Sequence, residues 1–169
     1  MEQVLSLNKK IALSLVQFSV LLLLVVFAPL INNQLITGTI VNASLLMAVV
    51  LLGMRGAVLL CFLPSIISLS FGLLSMVMAP MVPFIILGNI ILVHAFNLLR
   101  ERNFFLGLIT AALLKFSFLF LISNFVISLF IKQSVADKIV VMMSYPQLLT
   151  ALMGGVIAYF VINRYNIKK

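Results

Sequence analysis

Lys115 is the residue with the clearest chemical implication, because it places an ammonium group inside the long apolar run from Phe104 to Phe130. An ionisable side chain in a bilayer core is disfavoured by roughly 2.5 to 3.5 kcal/mol, so it normally faces the protein interior or a cavity. The rise of a helix places Asn89, on the preceding apolar run, at a similar depth. We therefore expect Lys115 and Asn89 to share one site near the middle of the membrane.

The chain offers Lys115 no evident counter-ion, since it contains three acidic residues and none of them lies in an apolar run. Four kinds of compensation remain open: an anionic group on a ligand, hydrogen bonds with Asn89, Ser117 or a carbonyl, a partner subunit, or loss of the proton on burial. A proton pump or antiporter would be expected to carry carboxylates in its membrane segments. Their absence from the apolar runs of this sequence disfavours that class.

A second candidate region opens the last apolar run, where Tyr145-Pro146-Gln147 predicts the start of a helix. Unpaired backbone amides and the positive end of the helix dipole favour an anion at such a position. Polar and small residues continue along the same face of this helix, namely Gln147, Thr150, Ala151, Gly154 and Ala158. This stripe is as typical of close packing against another helix as of a ligand site, so both interpretations stay open.

The composition identifies the class of protein that must position these residues. The chain has 169 residues, of which 64% are hydrophobic and 8% charged, whereas a soluble domain is about half apolar and about a quarter charged. We therefore expect an integral membrane protein. Its formal net charge of +8 does not indicate nucleic-acid binding, because most basic residues lie in short connections between apolar runs, where they orient helices.

Several kinds of chemistry lack the residues they would need. The single cysteine excludes an intrachain disulfide. The sequence has no phosphate-binding loop of the G-x-x-x-x-G-K-[ST] type, no cluster of metal ligands and no nucleophile with a base nearby. We therefore expect neither an enzyme nor a protein with a metal or another cofactor.

The apolar runs predict an all-α membrane protein with six transmembrane helices in one domain spanning residues 1–169. The predicted helices cover residues of about 11–30, 40–52, 57–76, 80–99, 104–130 and 145–163. The second of them is short for a span, and the uncharged polar segment 31–39 before it is predicted to be a loop. Pro64 is expected to kink the third helix.

The basic residues orient this arrangement, because cytoplasmic loops carry an excess of Lys and Arg. If six helices alternate, only Lys132 and Lys138 fall on one side. The other side carries Lys9, Lys10, Arg55, Arg100, Arg102, Arg164, Lys168 and Lys169. The sequence therefore predicts that both termini are cytoplasmic.

Size, helix number and local motifs together resemble a known family of transporter subunits. The relevant segments are the basic start Asn8-Lys-Lys-Ile-Ala-Leu, then Gln34-Leu-Ile-Thr-Gly38 with Ile40-Val-Asn-Ala43, and finally Ala79-Pro-Met-Val-Pro-Phe-Ile-Ile-Leu-Gly-Asn89. With the polar first outer loop and the absence of a nucleotide site, the chain resembles a substrate-binding S component of an energy-coupling factor (ECF) transporter. The resemblance is to a subgroup without an assigned substrate.

This resemblance implies a protein of the prokaryotic plasma membrane that captures a vitamin or similar small micronutrient outside the cell. A transmembrane coupling (T) subunit and two ATP-binding subunits would drive release of the substrate inside. Docking in this family uses two small residues four positions apart on the first helix. The corresponding positions are Ala12 and Val16, and the second departs from the pattern.

Residues and resemblance together lead to one hypothesis about the site, an outward-facing pocket that the first loop closes. Its predicted lining residues are Asn33, Gln34, Asn42, Asn89, Lys115, Tyr145 and Gln147. In this pocket Lys115 would prefer a carboxylate or a phosphate. Two other classes remain open: a structural or assembly subunit of a larger membrane complex, and a stand-alone channel or facilitator for a small solute.

Overall fold

The computed structural model describes the backbone of residues 2–72, 76–130 and 140–164, and the side chains of residues 8–72, 79–125 and 140–164. Within these ranges it contains α1 (Glu2–Phe27), α2 (Gln34–Leu51), α3 (Gly53–Ser70), α4 (Val82–Leu99), α5 (Phe104–Phe130) and α6 (Tyr145–Arg164). Six helical stretches of the described residues are long and apolar enough to cross a bilayer. The part of the chain that the structure describes is therefore all-helical, and the chain is a multi-pass membrane protein. Lys132, Lys138, Lys168 and Lys169 lie outside the described residues.

The second helix differs most from its prediction, since α2 begins at Gln34 and not near residue 40. The polar residues that predicted a loop instead start the helix: the Oδ1 atom of Asn33 accepts hydrogen bonds from the backbone amides of Leu35 and Ile36. Asparagine is among the most favourable residues at such an N-cap. The predicted loop shrinks to a short 3-10 turn, Ala28–Ile31, followed by Asn32 in the left-handed conformation. With 18 residues, α2 is long enough to span.

The third and fourth helices also start or end a few residues from their predicted limits. A turn at Leu52 separates α2 from α3, with Gly53 at a φ of 74°, so Arg55 lies in the first turn of α3. At its other end α3 stops at Ser70, before Gly72 with a φ of 67°. A 3-10 turn, Met76–Met81, then leads into α4. Pro64 lies inside α3 as expected.

Helix α2 is the centre of the bundle, because every residue from Val41 to Val50 is buried. A helix that is apolar and buried on all sides needs neighbours all round. It contacts α1, α3, α4 and α6, while α5 packs against α4 and α6. By contrast α1 is peripheral and leaves much of its apolar surface exposed, including Leu13, Leu15 and Val16. In a bilayer such a surface is compatible with lipid contact.

Small residues allow α2 and α6 to approach closely. A Cβ atom built on Gly154 would come within 2.7 Å of the backbone nitrogen of Ala43 and within 2.8 Å of the carbonyl oxygen of Thr39. At Gly38 the neighbouring group is the side chain of Thr150. Close approach through small residues is the usual way in which helices associate in membranes. This contact brings the polar residues of α2 and α6 side by side.

The two ends of the bundle differ in how they are filled. The connections α1–α2, α3–α4 and α5–α6 share one end, which we call the α1–α2 end, and the connections α2–α3 and α4–α5 share the other, the α2–α3 end. A continuous apolar core occupies the half of the bundle toward the α2–α3 end and includes Leu45, Leu46, Leu92 and Phe96, all fully buried. The half toward the α1–α2 end contains a cavity.

Replacing Gly154 with alanine is expected to destabilise the protein by about 1 to 3 kcal/mol, the usual range for an inserted methyl group without space. The neighbouring atoms at 2.7 Å and 2.8 Å are backbone atoms of α2, so α2 and α6 must separate to admit the methyl group. Thermal unfolding of the purified protein in detergent measures the effect. Val156→Ala, on an exposed face of the same helix, is the control. Equal melting temperatures for the two variants would contradict the predicted close contact.

Candidate functional site

The cavity lies between the centre of the bundle and the α1–α2 end, and its volume is about 310 Å³. Ligand pockets in proteins begin at about this size. Residues from the α1–α2 connection, from α2 to α6 and from the short helical segment 140–143 before α6 surround it. They are Pro29, Asn32, Asn33, Gln34, Thr37, Gly38, Val41, Asn42, Pro64, Ser65, Ser68, Ile85, Asn89, Lys115, Met142, Met143, Gln147 and Thr150. Eleven of these eighteen residues have polar side chains, although the bundle around them is apolar.

Lys115 lies at the base of the cavity and is held by two asparagines from different helices. Its Nζ atom donates hydrogen bonds to the Oδ1 atom of Asn42 on α2, at 2.7 Å, and to the Oδ1 atom of Asn89 on α4, at 2.8 Å. All three side chains are buried, and Lys115 is only 3% exposed. Because Lys115 follows the start of α5 by eleven residues, the helical rise puts it about 17 Å from that end, near mid-span. The expected pairing with Asn89 is therefore present, and Ser117 is exposed on another face of α5.

Asn42 extends the polar contacts from Lys115 to α6. Its Nδ2 atom donates to the Oγ1 atom of Thr150 at 3.2 Å, and the Thr150 hydroxyl donates to the carbonyl oxygen of Gln147 at 3.2 Å. This chain of contacts satisfies groups that would otherwise be buried without a partner. It also connects α5, α2 and α6 through side chains at the depth of the cavity base.

Two glutamines converge near the entrance of the cavity. The Nε2 atoms of Gln34, on α2, and Gln147, on α6, both donate to the carbonyl oxygen of Met142, at 2.8 Å and 3.3 Å. Met142 belongs to a short helical segment, residues 140–143, that ends just before α6, so its carbonyl has no following helical turn to bond in the regular way. The two amide groups therefore lie side by side and tie the start of α2 to the start of α6.

Short-range hydrogen bonds shape the α1–α2 connection above these glutamines. The backbone amide of Asn32 donates to the carbonyl oxygen of Pro29 at 3.1 Å, and the hydroxyl of Thr37 donates to the carbonyl oxygen of Ala28 at 2.9 Å. With the Asn33 cap, these bonds give the connection a defined path over the cavity. All three of these polar residues, Asn32, Asn33 and Thr37, lie within the segment that was predicted to be a loop.

The structure brings six of the seven predicted pocket residues together around one cavity: Asn33, Gln34, Asn42, Asn89, Lys115 and Gln147. The seventh, Tyr145, does not line it; its side chain is 61% exposed at the start of α6. Tyr145 precedes Gln147 by two residues, and positions two apart on a helix differ by about 200° around its axis. Tyr145 therefore faces away from Gln147. Ala12 and Val16, predicted for docking, are both exposed on α1.

The contact between Lys115 and Asn42 was not predicted, although the sequence contains a signal for it. Gln34, Gly38 and Asn42 are spaced by four residues, which places them on one face of a helix. Because residues up to 39 were predicted to be a loop, these three positions were not assigned to one helix face. With Asn33 taken as the N-cap of α2, they form a polar stripe that is expected to face the stripe of α6.

The arrangement stabilises the ammonium group without neutralising it. Amide oxygens supply dipoles and no net charge, and the described residues include no carboxylate near the cavity. In surroundings of low dielectric, a positive charge attracts an anion more strongly than it does in water. A carboxylate or phosphate entering the cavity would therefore find a fixed and partly desolvated cation at its base.

Comparison with known protein families, with curated proteins and with solved structures finds no match for this chain. The fold and the cavity themselves define its class: a helical, multi-pass membrane protein with a buried cation at the end of a polar cavity.

Removing one acceptor from Lys115 is expected to destabilise the protein by about 1.5 to 3 kcal/mol, the usual contribution of a hydrogen bond to a charged group. Asn89→Leu removes the acceptor at 2.8 Å. When Lys115→Met is present as well, no charge requires that acceptor, so Asn89→Leu should have a much smaller effect. A double-mutant cycle measured by unfolding in detergent gives the coupling between the two positions.

Asn97→Leu provides the control for this cycle. Asn97 is on the same helix as Asn89, but its Oδ1 atom accepts from Arg100 at the α2–α3 end of the bundle. Its substitution should be additive with Lys115→Met to within about 0.5 kcal/mol. Additivity of Asn89→Leu and Lys115→Met as well would show that the ammonium does not depend on Asn89.

Proposed function

We propose that this chain is the substrate-capture subunit of an ECF-type importer, and that it binds a vitamin or similar small micronutrient with an anionic group. Asn33, Gln34, Asn42, Asn89, Lys115 and Gln147 form the binding site, and Lys115 contacts the anionic group. Tyr145 has no part in this site, because its side chain lies outside the cavity. The resemblance of the motifs to S components supports the ECF assignment, and the cavity geometry supports the capture of a small molecule.

The observation that carries the proposal is that the cavity ends at the buried cation. Below Lys115, toward the α2–α3 end, the bundle is closed by fully buried apolar side chains that include Leu45, Leu46, Val49, Leu92 and Phe96. A channel or facilitator needs a polar path or a second opening for its solute. A cavity that leads from one end to a charged base and stops there favours capture over free passage.

Transport by such a subunit requires an energy source in other chains. The sequence has no nucleotide-binding loop and no acidic residue within the six candidate spans, so neither ATP hydrolysis nor carboxylate-based proton coupling has residues to support it. A transmembrane coupling subunit and two ATP-binding subunits would supply the energy. The exposed apolar face of α1, with Ala12 and Val16, is available to contact the coupling subunit.

In the proposed orientation the α1–α2 end faces outward and both termini are cytoplasmic in a prokaryotic plasma membrane. The described basic residues Lys9, Lys10, Arg55, Arg100, Arg102 and Arg164 lie toward the α2–α3 end of the helices. An excess of Lys and Arg in short loops marks the cytoplasmic side. The cavity then opens toward the outside, where a nutrient is captured.

Native mass spectrometry of the purified full-length chain is expected to detect a co-purified small molecule. Lys115→Met should lose it, because methionine keeps an unbranched side chain of similar length but lacks the charge that holds the anion. Lys9→Met is the matched control, since it removes an exposed lysine on α1, outside the cavity, and should retain the molecule. A small molecule retained equally by both variants would contradict the role of Lys115.

The same preparations separate capture from the two other classes. Liposomes containing only this chain should bind the identified molecule but show no flux above that of protein-free liposomes. Flux through the chain alone would identify a facilitator. Preparations in which no small molecule is bound, with the chain recovered only within a larger complex, would instead identify a structural subunit.

Cysteine labelling tests the proposed orientation. In a Cys61→Ala background, Tyr145→Cys at the α1–α2 end should react with a membrane-impermeant maleimide in intact cells. Glu101→Cys at the other end should react only after the cells are permeabilised. Both native side chains are exposed. The Cys61→Ala parent has no cysteine, since Cys61 is the only one in the sequence, so it should remain unlabelled. The reverse pattern would place the cavity entrance on the cytoplasmic side.

A further inference from the structure

The charge of Lys115 determines the direction of every hydrogen bond at the base of the cavity. An ammonium group donates and cannot accept, so Asn42 and Asn89 must both turn their Oδ1 atoms toward it. The Nδ2 atom of Asn42 consequently faces Thr150, whose hydroxyl must then donate onward to Gln147. The orientation of each amide is therefore a consequence of the charge.

With the hydrogen bonds in these directions, some N–H groups at the base of the cavity remain free to donate. An ammonium has three N–H groups, and two of those on Lys115 are used by Asn42 and Asn89. The Nδ2 atom of Asn89 makes no hydrogen bond to the described residues, and both side chains line the cavity. The base can thus offer N–H groups from a cation and from an amide to a ligand that accepts hydrogen bonds.

The entrance has the opposite character. The carbonyl oxygen of Met142 can only accept, so Gln34 and Gln147 must both turn their Nε2 atoms toward it. Their Oε1 atoms then remain as acceptors, and neither accepts a hydrogen bond from the described residues. Two amide oxygens are therefore available at the entrance to a ligand that donates hydrogen bonds.

The distance between the base and the entrance of the cavity, together with the cavity volume, limits the size of the ligand. We call the base and the entrance the two zones of the cavity. Along the helix axes, Gln147 is about 5 Å from Thr150 and Gln34 about 12 Å from Asn42, at 1.5 Å per residue. A cavity of about 310 Å³ corresponds to about ten water molecules at their volume in the liquid. A compact molecule of about ten to fifteen non-hydrogen atoms can reach both zones.

We propose that the ligand has two unlike ends: a carboxylate or similar anion bound by Lys115 and Asn89, and an N–H or O–H donor bound by Gln34 and Gln147. The inference rests on the proposed capture function and narrows its substrate to amino- or hydroxy-substituted acids and their close analogues. A molecule with an anion but no donor leaves the glutamine oxygens desolvated and unpaired, which weakens binding. A neutral molecule leaves the cation unpaired.

Two matched sets of compounds test this assignment, with the shift in melting temperature of the full-length protein in detergent as the measurement. The aromatic set is 4-aminobenzoate, its methyl ester and 4-(dimethylamino)benzoate. The linear set is 6-hydroxyhexanoate, its methyl ester and 6-methoxyhexanoate. In each set the free acid with its donor should bind best. Loss of the charge should weaken binding by about tenfold or more, and loss of the donor by about threefold to tenfold.

Variants then assign each end of the ligand to its residues. Gln34→Met and Gln147→Met should remove the preference for 6-hydroxyhexanoate over 6-methoxyhexanoate and keep the preference for acid over ester. Lys115→Met should remove the preference for acid over ester and keep the preference for 6-hydroxyhexanoate over 6-methoxyhexanoate. Lys9→Met, outside the cavity, should change neither preference. The comparison of compounds on the unaltered protein decides the proposal even where a variant fails to fold.

The possible failures are distinguishable. If methoxy or dimethylamino acids bind as well as their donor-bearing counterparts, the assignment of the entrance is wrong and the capture function stands. If no probe binds, the chemical structure of the co-purified molecule tests the inference. A molecule that lacks either an anionic end or a donor end overturns it. If no probe binds and no small molecule co-purifies, the inference and the proposed capture function both fail.

Discussion

The hydrogen bonds of the Lys115 ammonium group to Asn42 and Asn89 join α5 to α2 and α4 at the middle of the bundle. An unpaired ammonium at that depth would be strongly disfavoured, so helix positions that separate these side chains are disfavoured as well. The cavity exists on one side of this contact, and the apolar core fills the other. A change in the spacing of the three helices would therefore alter the charge environment and the cavity together.

The central position of α2 makes this contact possible. Its residues from Val41 to Val50 are buried on every side, and Asn42 is the point at which that apolar surface is interrupted toward α5 and α6. Gly154 lets α6 approach α2 closely enough for Asn42 to reach Thr150. Packing through small residues and polar bonding are therefore parts of one interface. The sequence left open whether the stripe of α6 serves packing or ligand binding. In the structure Gly154 packs against α2, and Gln147 lines the cavity.

Much of the architecture follows from the sequence, because apolar runs long enough to span a bilayer leave few alternatives. The shared depth of Lys115 and Asn89 follows as well, since it depends only on helical rise and on the run boundaries. The start of α2 does not follow from hydropathy, because Asn33, Gln34 and Thr37 are polar. Asn33 and Thr37 bond to groups nearby in the chain, but the partner of Gln34, the carbonyl oxygen of Met142, is distant in the chain. The exclusion of Tyr145 from the cavity depends on the rotation of α6, which α2 determines through Gly154.

The use of amide oxygens in place of a carboxylate suits a site that must bind and later release an anion. An internal carboxylate would form an ion pair with Lys115, and a ligand would have to displace it, so much of the attraction would be lost. Amide dipoles hold the cation in place and leave its charge for the ligand. The same arrangement keeps the empty state folded, because two short hydrogen bonds stabilise the ammonium when no anion is bound. Occupied and empty states can therefore share one helix packing, and the charge that stabilises the first does not disrupt the second.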